Sequence, residues 1–146
     1  MLVLQTPEDV VREWEIIRKV AKASMPDFVN LEEASWEWNL FCSIQLNHVQ
    51  VWKVVDNVSE DFKLYGYLLT RVLIDDIFRE TFLVIYGLKL FARPSAEILL
   101  NVKTHLEEWS KGQGISRIEA ITNSPVTSKM ALVFGFQESR QFTKKL

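Results

Sequence analysis

The stretch Thr81–Phe91 (TFLVIYGLKLF) constrains the fold more than any other part of the chain. It is almost unbroken in apolar, β-branched and aromatic character, the pattern of a strand covered on both faces rather than of a sheet edge. A strand of that kind requires a sheet with helices packed on each side. The residues before it supply neighbours. His48–Val55 alternates polar and apolar, a polar turn follows at Asp56–Asp61, and Phe62–Ile74 is a second long β-branched and aromatic run, separated from Thr81 by Asp75-Asp76. The three runs predict an antiparallel meander.

Both flanks of the meander carry helical periodicity. Met1–Gln5 suits a short first strand, stopped at Thr6-Pro7, where a threonine cap precedes a proline at the first helical position. Val10, Trp14, Ile17 and Ala21 then recur at helical spacing until Met25-Pro26-Asp27. Asn30 to Glu33 reads as a second cap, with Ala34, Trp38, Phe41 and Gln45 expected on one face. Beyond the meander, Arg93-Pro94-Ser95 breaks the strand, and Ile98, Val102, Leu106 and Trp109 mark an amphipathic helix that stops at Gly112-Gln113-Gly114. Ile115–Thr122 is a further strand, Ser124-Pro125 caps a short helix through Phe134 that ends at Gly135, and Phe136–Lys144 alternates as a last strand. The order is β-α-α-β-β-β-α-β-α-β. The class is α/β (α+β), a mixed twisted sheet with helices on both faces, expected as a single domain over residues 1–146.

The 17 Lys and Arg are scattered, and the net charge is only −2, which argues against nucleic acid or an acidic membrane as partner. No apolar run approaches a membrane span, and the N-terminus lacks the basic-then-apolar pattern of a signal peptide. The single cysteine, Cys42, permits no internal disulfide and reads as a small core residue. A reducing, cytoplasmic setting is the expectation. His48 and His105 have no carboxylate at ligand spacing, so no metal is expected. Neither a Gly-x-Ser-x-Gly elbow nor a Gly-rich Lys-Ser/Thr phosphate loop occurs.

The element order, the run Leu106–Ile115 (LEEWSKGQGI), and Asn123 followed by a short helix and Phe134-Gly135-Phe136 together resemble the GNAT superfamily of acyl-CoA-dependent N-acyltransferases. The likeness covers nearly the whole chain in topology and mainly residues 83–140 in sequence. It implies that the diphosphate of acetyl-CoA meets the N-terminus of the 96–112 helix, where free backbone N–H groups and the positive dipole end favour an anion. The family pattern there is Gln or Arg, two residues, Gly, one residue, Gly or Ala; this chain has Arg93-Pro94-Ser95-Ala96-Glu97-Ile98. Arg93 fits and Trp109 lies where the family often has an aromatic residue, but Ala96 and Ile98 replace the small residues. Ile98 would hold phosphate oxygens away from the backbone, and Glu97 would repel them. Arg93 is either a phosphate contact or a solvated loop residue, and Ser95 either a contact or a plain cap.

The resemblance further implies a backbone N–H near Leu88 that polarises the acyl carbonyl, with Gly87 as a bulge or place of close approach, or merely room for a neighbouring side chain. Asn123 would lie beside the pantetheine arm. The family's acid, a tyrosine, is replaced by Ala131. Tyr86 is a substitute acid or a core aromatic, while Glu119 and Glu80 are the candidate bases. Trp36 and Trp38 lie 200° apart on a helix that borders the acceptor in the family, so an exposed one would mark a binding surface. Two functions follow. One is transfer of an acetyl group to a small amine or a protein amino group. The other is a non-catalytic scaffold that binds a protein partner or assembles as a homo-oligomer, like the GNAT-like virion or accessory proteins of some bacteriophages.

Overall fold

A computed structural model describes residues 1–24, 35–56, 62–122 and 125–139. Strand β1 (Leu2–Leu4) leads into helices α1 (Pro7–Arg12), α2 (Trp14–Ser24) and α3 (Ser35–Gln45). Strands β2 (Val49–Val55), β3 (Leu64–Asp75) and β4 (Glu80–Leu90) follow. Helix α4 (Ala96–Gly112), strand β5 (Arg117–Ala120) and helix α5 (Pro125–Val133) complete the described elements. The sheet runs in the order β1-β2-β3-β4-β5. The first four strands are mutually antiparallel, and β5 lies parallel to β4. The meander is therefore the one the sequence predicts. Among the described residues no helix is long and apolar enough to cross a membrane.

The sheet has two covered faces because its strands alternate. On one face Val51, Tyr67 and Leu69 pack with Val10, Ile17 and Val20 of α1 and α2 and with Leu40 and Ile44 of α3. On the other, Trp52, Val54, Leu68 and Leu83 lie beneath Ile98 and Leu106 of α4. Each fully buried large side chain contributes roughly 1.5–3 kcal/mol. Trp52 is fully buried yet polar at one atom, so its indole N–H donates to Thr70 Oγ1 at 2.9 Å, and its ring meets Trp109 edge-on at 5.0 Å.

Three sequence expectations need correction. The first helix is two helices. α1 opens with the expected cap, in which Thr6 Oγ1 accepts from the Asp9 amide and Asp9 accepts in return from the Thr6 backbone. Those bonds from Thr6 hold the Asp9 carboxyl below its ordinary range. The break comes at Glu13, whose carboxylate is drawn to the sheet by the Tyr67 hydroxyl, which donates at 2.7 Å, and by Lys53. Burial, and then the carboxylate beside it, push the Tyr67 phenol well above its usual value.

The second correction is the phase of α3. Trp36, Leu40 and Ile44 face the core, while Trp38 is 66% exposed and stacks on Phe41. Of the rest of the expected stripe, Phe41 and Gln45 are half-buried, Phe41 meeting Trp14 edge-on at 5.1 Å, and Ala34 lies outside the described residues. The third lies at the C-terminus, where residues 136–139 form no strand and the rest of the expected last strand lies outside the described residues. Gly114 and Gly135, with φ of 71° and 86°, sit just past α4 and α5, where a left-handed residue ends a helix at little cost.

Candidate functional site

The site begins with an irregularity in β4. Leu69 pairs with Gly87 and Thr70 with Ile85, so Tyr86 is the extra residue of a bulge. The parallel pairing with β5 ends at the same place, its last partners being Ile85 and Ala120. β4 then continues to Leu90 with, among the described residues, a strand on one side only. The sequence had placed residues 115–122 in β5, and the shorter strand is the physical cause of the opening. Ile115 N is taken by Ser110 O in the turn that closes α4, and Thr81 O holds Ser116 N before pairing begins.

Strand alternation decides which amide faces the opening. Phe91 N donates to Tyr65 O at 2.7 Å, and Gly87 and Lys89 are opposite Leu69 and Tyr67 on the same β3 neighbour. Counting by twos, Gly87, Lys89 and Phe91 bond towards β3, and the N–H groups of Leu88 and Leu90 point the other way, where β5 has ended. The Leu88 side chain packs on the core beneath α4.

Gly87 is a point of close approach. A Cβ built there would stand 2.6 Å from Cβ and 2.8 Å from Oγ of Ser24, the last residue of α2. Only glycine lets that helix end rest on the bulge. Ser24 was invisible in the sequence, since nothing local distinguishes a serine at a helix end from any other. Tyr86 is half-exposed at the bulge rather than submerged in a core.

The strand end leads through an exposed Arg93 and a buried Pro94 to α4. Ser95 caps that helix, its Oγ accepting from the Ile98 amide at 3.2 Å. The amides of Ala96 and Glu97 lie in the first turn, which has no intrahelical acceptor for them. Ile98 does not obstruct this end as the sequence had implied, because its side chain turns into the core beside Leu106. Glu97 is exposed there. The donor set of Arg93, Ser95 and two free amides fits an anion, with Glu97 as the opposing charge. Asn123 lies outside the described residues.

The two carboxylates expected as bases converge on one cation. Arg117 bonds both Glu80 and, at 2.7 Å through Nε, Glu119, and its guanidinium lies 4.3 Å over the Phe82 ring. These bonds, that of Glu119 first, raise the Arg117 pKa above its ordinary value. Glu119 is opposite Val84, about 7 Å along the strand from Tyr86, whereas Glu80 is about 20 Å away at the start of β4. A groove of about 520 Å³ runs along α4 between Ser95, Glu97, Asn101, His105 and Glu108 and the residues Met1 and Asp56. No β4 or β5 residue lines it.

The chain superposes over its whole length on solved acetyltransferases. A probable acetyltransferase superposes with a TM-score of 0.70 at 13% identity, over 100% of this chain and 95% of its own. An aminoglycoside acetyltransferase from an uncultured soil metagenomic sample, in complex with sisomicin, gives 0.68 at 16%, over 100% and 95%. The protein AAC(6')-Iy, in complex with the bisubstrate analogue CoA-S-monomethyl-acetylneamine, gives 0.67 at 13%, over 100% and 97%. The fold is that of the GNAT acetyltransferases. No family model and no curated protein matches the sequence, so the likeness to GNAT proteins is one of structure. Along the chain, residues 87–94 connect the bulge at Tyr86 to the cap at Ser95.

Proposed function

We propose that the chain binds acetyl-CoA in the opening between β4 and β5 and transfers its acetyl group to an amine. The observation that carries this reading is the coincidence of the bulge at Tyr86 with the end of the β4–β5 ladder at Ile85 and Ala120, which leaves the Leu88 N–H with no strand partner among the described residues. Arg93, Ser95 and the amide of Ala96 would hold the diphosphate, and the Leu88 N–H would donate to the thioester oxygen as negative charge develops on it. Acetyl-CoA supplies an activated acyl group whose sulfur is the leaving atom. The amine nitrogen forms the new bond to the carbonyl carbon as the carbon–sulfur bond breaks. The amine loses one proton and the departing sulfur gains one.

Tyr86, two residues before Leu88 on the strand, would offer its phenol as the proton donor, and Glu119 is the nearer of the two carboxylates. A small-molecule amine is the acceptor class favoured, since a relative of the same fold is seen with sisomicin and another with an acetylneamine conjugate. Titration calorimetry with acetyl-CoA and with CoA tests the reading. Micromolar binding weakened by Arg93→Ala supports it, and no heat at millimolar ligand removes it.

A second reading has its own observation. Glu80 and Glu119 are both bound to Arg117, and the exposed Glu97 stands in the first turn of α4 where an anion would lie. A non-catalytic protein that keeps the scaffold for partner binding would need neither a free base nor an anion site, and Trp38 would be its exposed anchor. Absence of CoA binding would favour it.

A further inference from the structure

We infer that Ser24 is the wall that limits acyl length, a reading that rests on the acyl-CoA assignment above. Three features fall within one residue step of β4: the ladder to β5 ends at Ile85, Tyr86 is the extra residue of the bulge, and Gly87 carries the end of α2. At Gly87 there is no room for a single added carbon. An ideal Cβ would meet Ser24 Cβ at 2.6 Å and Oγ at 2.8 Å, and the next neighbour is Leu69 Cδ1 at 3.6 Å.

The wall is fixed in place. Ser24 Oγ donates to Val20 O at 2.8 Å, which holds the side chain in one rotamer on the helix. Ala21, Val20 and Ile17 of the same helix are buried against the sheet, so α2 cannot withdraw without opening a core. The Leu88 amide, which has no strand partner among the described residues, belongs to the next residue along, about 3.3 Å further on. An acyl carbonyl held by that amide has its carbon tail bounded on the helix side by Ser24. A two-carbon acyl group would stop short of Ser24, and each further methylene would have to displace a side chain that is hydrogen-bonded and backed by a packed helix. Ser24 is thus a specificity-determining residue. It has no part in the proton transfers.

The test is titration calorimetry of CoA, acetyl-CoA and hexanoyl-CoA into the wild-type protein, Ser24→Gly and Ser24→Ala, with thermal melting of each variant. The expected wild-type result is acetyl-CoA binding at least about tenfold more tightly than hexanoyl-CoA, in keeping with the discrimination that closed apolar pockets achieve. Ser24→Gly should bring that ratio to about twofold or less by raising hexanoyl-CoA affinity, with CoA affinity unchanged. A merely structural role for Ser24 would shift all three ligands together. Should the glycine variant unfold, Ser24→Ala, which keeps the helix former and removes only the hydroxyl, must move the ratio in the same direction. Equal wild-type affinity for the two acyl-CoAs, or a ratio that neither variant changes, overturns the Ser24 assignment while the CoA-binding reading stands. If CoA and acetyl-CoA both fail to bind, the acyl-CoA reading and this one fall together.

Discussion

The two halves of β4 are built from similar residues and do different things. Before the bulge, Glu80–Ile85 has β3 on one side and, from Phe82, β5 on the other, with Leu83 fully buried under α4. After it, Gly87–Leu90 keeps β3 but has no described strand on its other side. Apolar character alone does not separate the halves, since Phe82, Leu83, Val84 and Ile85 lie in one and Leu88 and Leu90 in the other. The separation comes from one extra residue, Tyr86, and from a β5 that stops at Ala120. A strand can therefore serve as core in one half and as a row of available amides in the other, provided that a helix end closes the face of the open half. Ser24 against Gly87 provides that closure.

The largest expected effect sharpens the core side of the comparison. Leu83→Ala, at a fully buried position in the paired half, should cost about 2–5 kcal/mol in denaturant unfolding. A loss well below 1 kcal/mol would show that the paired half carries no more of the fold than the open one. Next comes Gly87→Ala in the open half. The added carbon must push Ser24 aside, an overpacking cost of about 1–3 kcal/mol. Acetyl-CoA affinity should fall with it, and Ser24→Gly in the same chain should restore part of both losses. Failure of that rescue would mean that the contact does not set the position of α2.

Smaller again is Ser95→Ala, which removes the α4 cap at a cost of about 1 kcal/mol. Under the proposed function it should also weaken acetyl-CoA binding, whereas Leu83→Ala should act on stability more than on affinity for the folded protein. Measuring both quantities for both variants separates site from core.

The sequence reached the antiparallel meander, the two covered faces, the helix cap at Thr6 and, as one of two alternatives, that at Ser95, because each rests on a local pattern: alternation, helical spacing, or a hydroxyl ahead of a proline or an apolar stripe. It missed the break at Glu13, since the cause lies 40 and 54 positions away in Lys53 and Tyr67. The phase of α3 failed for a related reason. Trp36 and Trp38 are equally apolar, and only the surface beneath the helix decides which is buried. In the site, a suspected bulge at Gly87 could be read from a glycine inside a strand, but Ser24 and Arg117 become meaningful only when elements distant in sequence meet.

The Tyr67–Glu13 contact gives a pH-dependent test on the closed side of the sheet. The folded protein holds the Tyr67 phenol protonated above its ordinary value of 10.0, through burial first and the adjacent carboxylate second. The unfolded chain therefore releases that proton first as pH rises. The contribution is fully present below pH 10 and is lost progressively above it, towards the raised folded-state value. Stability measured in denaturant should be level in this respect up to pH 10 and fall beyond it, and Tyr67→Phe should remove part of that fall. An unchanged alkaline slope in the phenylalanine variant would show that other groups, such as lysines, account for it and that Tyr67 carries no linkage.

The smallest effect is expected at Arg117, and it tests whether the open half depends on charge. The side chain bridges Glu80 and Glu119 at the surface, where ion pairs are screened and gain little over hydrated charges. Part of its contact is with the Phe82 ring, which a methionine can also cover. Arg117→Met should leave the melting midpoint nearly unchanged while releasing both carboxylates. If Glu119 routes a proton in the proposed transfer, the pH profile of acetyl transfer should shift in this variant with little change in acetyl-CoA affinity. A midpoint that falls as far as it does for Ser95→Ala would show instead that the ion pairs hold β5 against β4. The end of the ladder at Ala120 would then be set by charge as well as by the bulge, and the contrast between the halves of β4 would rest on Arg117 as much as on Tyr86.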